Sequence, residues 1–223
     1  MKARRRPGAR RRWPLVAGLL ALALAAGRPA AAQDDAGEAA VAFRPFLLVS
    51  AQAYAARDTF EAAFGQSLQA LVGGGLSIVS RRFFVDLSAS RFRKTGERAF
   101  RSGGETFRLG IPLTVAITPL ELAFGYRFRP SRRIVPFAGA GLGSYRYEET
   151  SGESDPEGNV DARHIGYLAV GGAEFLAARW LRVALDAHYT RVPGILGAGG
   201  ISQQAGEDDL GGTAVRLRVI VGP

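Results

Sequence analysis

From Arg179 to Arg191 the chain alternates with a period of two. Trp180, Arg182, Ala184, Asp186, His188 and Thr190 fall on one face, and Leu181, Val183, Leu185, Ala187 and Tyr189 on the other. Successive side chains of a strand point to opposite sides, so the segment predicts a β-strand with one apolar and one charged face. A sheet in water turns its apolar face to a core. A membrane barrel turns that face to lipid and keeps polar groups inside.

The same period recurs along the chain. Phe43 to Tyr54 sets Leu47, Val49, Ala51 and Ala53 against Ser50, Gln52 and Tyr54. Ala55 to Gln66 breaks the pattern, and Asp58 followed by Phe60, Ala63 and Phe64 predicts one helical turn in a loop. Ser67 to Ser80 resumes as a strand, with a tight turn at Ser80-Arg81. Arg82 to Arg101 carries Phe83, Val85, Leu87 and Ala89 opposite Asp86, Ser88 and Ser90. Ser102-Gly103-Gly104 reads as a hairpin turn, because glycine supplies positive φ without steric cost.

The returning segment, Glu105 to Phe128, changes parity. It is apolar at Leu109, Ile111, Leu113, Val115 and Ile117, then at Leu120, Leu122, Phe124, Tyr126 and Phe128, with the switch at Thr118-Pro119. A switch means a bulge in one long strand or a turn between two. The bulge is favoured, since a split would give nine strands and bacterial single-chain barrels have an even number. Ile134 to Glu148, Arg163 to Leu176, Arg179 to Arg191 and Thr213 to Val221 complete eight strands. They are joined by a turn at Arg129 to Arg133, a loop at Thr150 to Asp161, a turn at Ala177-Ala178 and a Gly-rich loop at Val192 to Leu210.

The connections alternate long and short from the first to the last, which segregates short turns to one end. Outer-membrane barrels put short turns in the periplasm and long loops outside. Pro136-Phe137-Ala138-Gly139-Ala140-Gly141-Leu142-Gly143-Ser144-Tyr145 and Gly171-Gly172-Ala173-Glu174-Phe175 are glycine-aromatic strands. In these the chain resembles the eight-stranded outer-membrane barrel family, the OmpA-type or OmpX-type β-barrel domain, over residues 43–223. The resemblance implies an all-β, eight-stranded, antiparallel up-and-down transmembrane barrel in the outer membrane of a Gram-negative cell. It further implies a monomer among membrane lipid and lipopolysaccharide, inserted by the barrel-assembly machinery. Members usually end on an aromatic residue, whereas this chain ends Val221-Gly222-Pro223.

The amino terminus points to export. Lys2 and six arginines up to Arg12 precede an apolar stretch from Leu15 to Ala26 and the small residues Ala30-Ala31-Ala32. This reads as a secretory signal peptide over residues 1–32. About 12 apolar residues are too few to span a bilayer, which takes roughly 20. Residues 33–42 then form a polar, flexible lead-in. The net charge of +9 belongs to the leader, which holds eight of the 29 basic residues and none of the 20 acids, so the remainder is +1. No basic patch for nucleic acid survives. Cysteine is absent, so neither disulfides nor thiolate metal sites are available.

An eight-stranded lumen is only wide enough for side chains. The inward parity collects Asp86, Glu121, Glu174 and Asp186 against Arg127, Arg182, Arg216 and Arg218, with His188 among them. Buried charge is costly unless paired, so the balance predicts a closed salt-bridge network rather than a pore. A structural or surface-interaction role follows, with a narrow channel or small-ligand barrel as the alternative. Catalysis is not expected: a lipid-modifying barrel needs a serine beside the histidine with an acidic orienter, and His188-Tyr189-Thr190 offers no serine at the matching place, nor does His164 suggest one. Neither metal nor cofactor is expected. A soluble carrier would need an apolar interior, and the inward charges count against one. The partner of the long loops is not legible.

Two features frame the short-turn end. Phe83, Phe124, Tyr126, Phe128 and Phe175 predict an aromatic girdle, while Trp180 by parity would cap the lumen. Arg81, Arg82, Arg129, Arg132, Arg133 and Arg179 cluster there too, to solvate the turns or meet phosphate head groups. The acidic run Glu148 to Asp161 reads as a solvated face, with divalent cation as a weaker reading.

Overall fold

A computed structural model describes residues 41–102, 105–130, 132–152 and 159–222. The predicted leader, nearly all of the lead-in, Gly103-Gly104 and residues 153–158 of the acidic loop lie outside the described residues. The strands are β1 (Val41–Tyr54), β2 (Leu68–Ser80), β3 (Phe83–Ser102), β4 (Glu105–Arg127), β5 (Ile134–Ser151), β6 (Val160–Ala178), β7 (Leu181–Arg191) and β8 (Gly212–Val221). Two helices lie in the loops, α1 (Arg57–Phe64) and α2 (Gly200–Ala205). Each strand pairs antiparallel with the next, and β1 closes on β8, from Phe46 opposite Ile220 to Tyr54 opposite Gly212. The result is a closed, all-β, eight-stranded up-and-down barrel.

The alternation sorts side chains as a membrane barrel requires. Leu47, Val72, Leu122, Leu142, Ile165 and Leu185 all point outward and are more than half exposed. In water this surface would forfeit about 25 cal/mol for every Å² left unburied. Lipid removes that cost, and the pleat then places Asp86, Asp186 and Arg218 inside. Among the described residues no helix is long and apolar enough to cross a membrane.

The parity switch at Thr118-Pro119 is neither bulge nor turn. β4 runs through it without a register shift, Thr118 opposite Arg146 and Pro119 opposite Tyr145. Leu113, Val115, Ile117, Glu121 and Arg127 all point inward, while Leu120, Leu122 and Phe124 point to lipid. What changes is the surroundings. Toward the long loops the barrel rises out of the apolar belt, and there, as in any soluble sheet, apolar residues go inside. The actual register shift in this hairpin lies between Glu97 and Ala99.

Three further expectations shift. The hairpin expected at Ser102-Gly103-Gly104 brings Ser102 opposite Glu105, so this connection is short and breaks the expected alternation of long and short, because the two strands themselves extend instead of a loop. The turn expected at Ala177-Ala178 lies at Arg179-Trp180, since an irregularity between Leu176 and Ala178 lets β6 run on and pairs Ala178 with Leu181. Trp180 therefore sits exposed in the turn and does not cap the lumen. The single helical turn is an eight-residue helix, and the Gly-rich loop holds a second, unforeseen one.

Both helices fill the wide end of the barrel. Phe60 of α1 stacks on Tyr54 at 4.1 Å and meets Phe92 and Phe64 at 6.3 and 6.0 Å. Ile195, Ile201 and Leu210 from the last loop close over Leu113, Ile117 and Tyr147. Glu207 locks the two loops together. Its carboxylate accepts from the N–H of Asp58 and of Thr59 at 3.0 and 2.8 Å, and from Thr59 Oγ1 at 2.6 Å. This satisfies amides that the first turn of α1 leaves unpaired. Glu207→Ala is expected to cost about 1 to 2 kcal/mol, as loss of a helix cap does. Limited proteolysis would register it first in the loop after β7.

Candidate functional site

The inward faces of β3, β4, β7 and β8 bring an ionic cluster together at mid-barrel. Asp186, fully buried, receives Arg216 Nε at 2.7 Å and lies 2.9 Å from Arg218 Nε, the latter too oblique for a hydrogen bond. Arg218 Nη1 donates to Asp86 at 2.7 Å, and its guanidinium lies over the rings of Phe137 and Phe46 at 5.0 and 5.4 Å. Such stacking compensates a desolvated cation on its apolar side. Arg216 Nη1 reaches Glu121 at 3.4 Å.

Glu121 is the most shared group of the cluster. Tyr145 donates to it at 2.8 Å and Ser88 at 3.5 Å, and His188 Nε2 stands 3.5 Å away. The structure thus does bring a serine near His188, with the carboxylate between them. A nucleophilic triad needs the imidazole in the middle, between hydroxyl and acid. A cavity of about 30 Å³ adjoins the cluster, lined by Tyr54, Ile117, Glu121, Tyr145, His188 and Arg216 among others. By its size it has room for about two waters.

Toward the short turns a second cluster forms. Arg127 Nη2 donates to Glu174 Oε2 at 2.7 Å, and Arg182 Nη1 lies 4.0 Å from the same oxygen. All nine inward residues singled out by parity are buried. Arg44 was missed although it lies within the expected first strand, because two apolar inward residues, Phe46 and Leu48, separate it from the polar row that begins at Ser50. Carrying the parity of Ser50, Gln52 and Tyr54 back along β1 would have found it.

Glu149 departs from the solvated acidic face, being almost wholly buried at the wide end. It accepts from Tyr147 Oη at 2.8 Å and from the N–H of Ile201, which ties α2 to the wall. The outward residues at this level, Arg146 and Glu148, are paired and polar, so Glu149 sits above the apolar belt. Burial raises its pKa above the usual carboxylate range, against the opposing pull of the Tyr147 and Ile201 hydrogen bonds and of Arg98. A carboxyl whose folded pKa is raised binds more protons folded than unfolded, so stability falls as pH rises through the folded value. The lid that α1 and α2 form is therefore expected to tighten on mild acidification, read as higher amide protection factors in α2 after correction for the intrinsic pH dependence of exchange. Glu149→Gln should abolish that dependence.

The short-turn end carries the aromatic girdle. Phe83 stacks on Phe124 at 5.8 Å and meets Tyr126 at 5.5 Å, Tyr126 meets Phe128 at 5.0 Å, and Arg133 lies over Phe175 at 5.1 Å. Arg81, Arg82, Arg129, Arg132, Arg133 and Arg179 are exposed beside it, Arg82 donating to Tyr126 Oη at 2.9 Å. At the other end, Arg146 pairs with Asp161 at 2.7 Å on the outer surface. Among the described residues no group of three His, Cys, Asp or Glu side chains is placed to hold a metal.

An apolar belt, a girdle at its lower edge and charges within make this a membrane-spanning barrel. No family model matches the sequence. No curated protein matches it either. Solved structures are similar in fold at low identity. Ail, the attachment invasion locus protein of Yersinia pestis, is 12% identical with a TM-score of 0.46, over 83% of this chain and 98% of its own. OprG of Pseudomonas aeruginosa is 14% identical with a TM-score of 0.44, over 85% and 97%. Neisserial surface protein A is 9% identical with a TM-score of 0.44, over 83% and 97%. These are outer-membrane barrels, and what this chain shares with them is the fold.

Proposed function

We propose that the protein serves in the outer membrane as a closed barrel, with a structural or surface-interaction role and no catalysis. The observation that carries this reading is that the interior is filled at two levels by different chemistry. Apolar loop helices pack the wide end, and paired charges and aromatic rings occupy the membrane level. A solute would have to displace both. The exposed loop segments are then the parts free to meet other molecules, and the barrel is their rigid mount.

Lipopolysaccharide and phospholipid are its surroundings in this reading, the barrel-assembly machinery inserts it, and it works as a monomer. His188 is a member of the ionic cluster, not a base for chemistry. Conductance of the refolded barrel in a planar bilayer, at neutral pH and moderate salt, tests this. The expected result is no discrete opening from a sample whose folded band is heat-modifiable. Stable openings would put a narrow channel in its place.

A further inference from the structure

The charges of the lower interior do not balance. Arg44 on β1, Arg127 at the end of β4 and Arg182 at the start of β7 are each nine-tenths or more buried. All three lie within four residues of the short-turn end of their strands. The charges acting on Arg44 are Arg127, Arg182 and Glu174. Glu174 is the one carboxylate in that group, and its Oε2 is already taken by Arg127 and approached by Arg182. Nε and Nη1 of Arg44 have no hydrogen-bond partner, nor have Nε of Arg127 or Nε of Arg182.

Among the described residues, three guanidiniums share one carboxylate, which leaves two positive charges there without a described counter-charge in a desolvated mouth. An unpaired buried charge is among the costliest features a fold can carry. The described short turns add no acid. Every charged side chain on the described short turns is an arginine, the exposed set from Arg81 to Arg179 described above. The mouth therefore attracts anions from outside and presents unpartnered, forked donors within, the geometry that suits phosphate oxygens.

We propose that the short-turn mouth of the barrel is a binding site for a phosphoryl group, held by Arg44 together with Arg127 and Arg182. The exposed arginines guide the anion in and Glu174 fixes the fork of Arg127. Inorganic phosphate and the head group of an anionic phospholipid share this chemistry.

The full barrel, refolded in alkyl-glucoside micelles free of phosphate, is the material for the test. Its melting midpoint is followed against inorganic phosphate, with sodium chloride at matched ionic strength as reference. A second series adds phosphatidylglycerol to the micelles. At a hundredfold excess over the dissociation constant the wild type is expected to melt roughly 5 to 10 °C higher. Arg44→Gln is expected to lose that shift, whereas Arg146→Gln, on the outer surface at the opposite end, keeps it. A shift with phosphate alone identifies a free anion, and one with phosphatidylglycerol alone identifies a head group. Broadening of the ³¹P line by wild-type barrel gives a readout that needs no variant to fold. No shift and no broadening in either series, or an equal shift in Arg44→Gln, would overturn the proposal.

Discussion

Asp186→Ala is expected to destabilise the barrel by about 3 to 5 kcal/mol, the cost of breaking a buried ion pair by removing one partner. The carboxylate is fully buried between Arg216 and Arg218. Each arginine keeps a second acid, Glu121 for one and Asp86 for the other, at 3.4 and 2.7 Å. Asp86→Ala alone is therefore expected to cost less, because Arg218 retains Asp186. The double variant should cost more than the sum, since Arg218 then loses both acids; a double-mutant cycle isolates that coupling. Equilibrium unfolding in urea of the micelle-refolded barrel measures all three. Parent-like midpoints for both single variants would mean that the network does not hold the interior.

Phe60→Ala carries the second large effect. Phe60 is almost wholly buried, and it joins α1 to β1 and β3 through Tyr54 and Phe92. Truncating a buried Phe costs about 3 to 5 kcal/mol. Here the loss falls on the lid and not on the strand pairing beneath it. The expected result is fast amide exchange in α1 and α2 with near-native exchange in β5 to β8. A loss spread evenly over all strands would mean that lid and barrel unfold as one unit.

Legibility followed the surroundings of each segment. Where lipid lies outside and charge inside, as along β7, the alternation of Arg182, Asp186 and His188 with Leu181 and Leu185 fixes the face of every residue. The inward acids and bases of the ionic cluster were found this way. Above the belt the rule inverts, and Leu113, Val115 and Ile117 then looked like a slipped strand. Only the loop helices that cover them explain their burial. The second of those helices, α2, was not legible because Val192 to Leu210 has no period of its own and takes its shape from packing on α1. Pairings such as Glu207 with the start of α1 join residues some 150 positions apart in the chain. No local pattern announces them. Arg44 was a different kind of miss, hidden in a row whose inward neighbours are apolar.

One continuous β4 faces lipid along its lower half and encloses an apolar core along its upper half. A single-cysteine spin-label scan along β4 tests it directly, and the absence of native cysteine makes the labelling clean. Labels at Leu120, Leu122 and Phe124 are expected to be relaxed by lipid-dissolved oxygen. A label at Thr114 should respond to an aqueous nickel complex, and labels at Val115 and Ile117 to neither. Oxygen contact at Val115 and Ile117 equal to that at Leu122 would contradict the account, because those side chains would then face lipid and not the core beneath the lid.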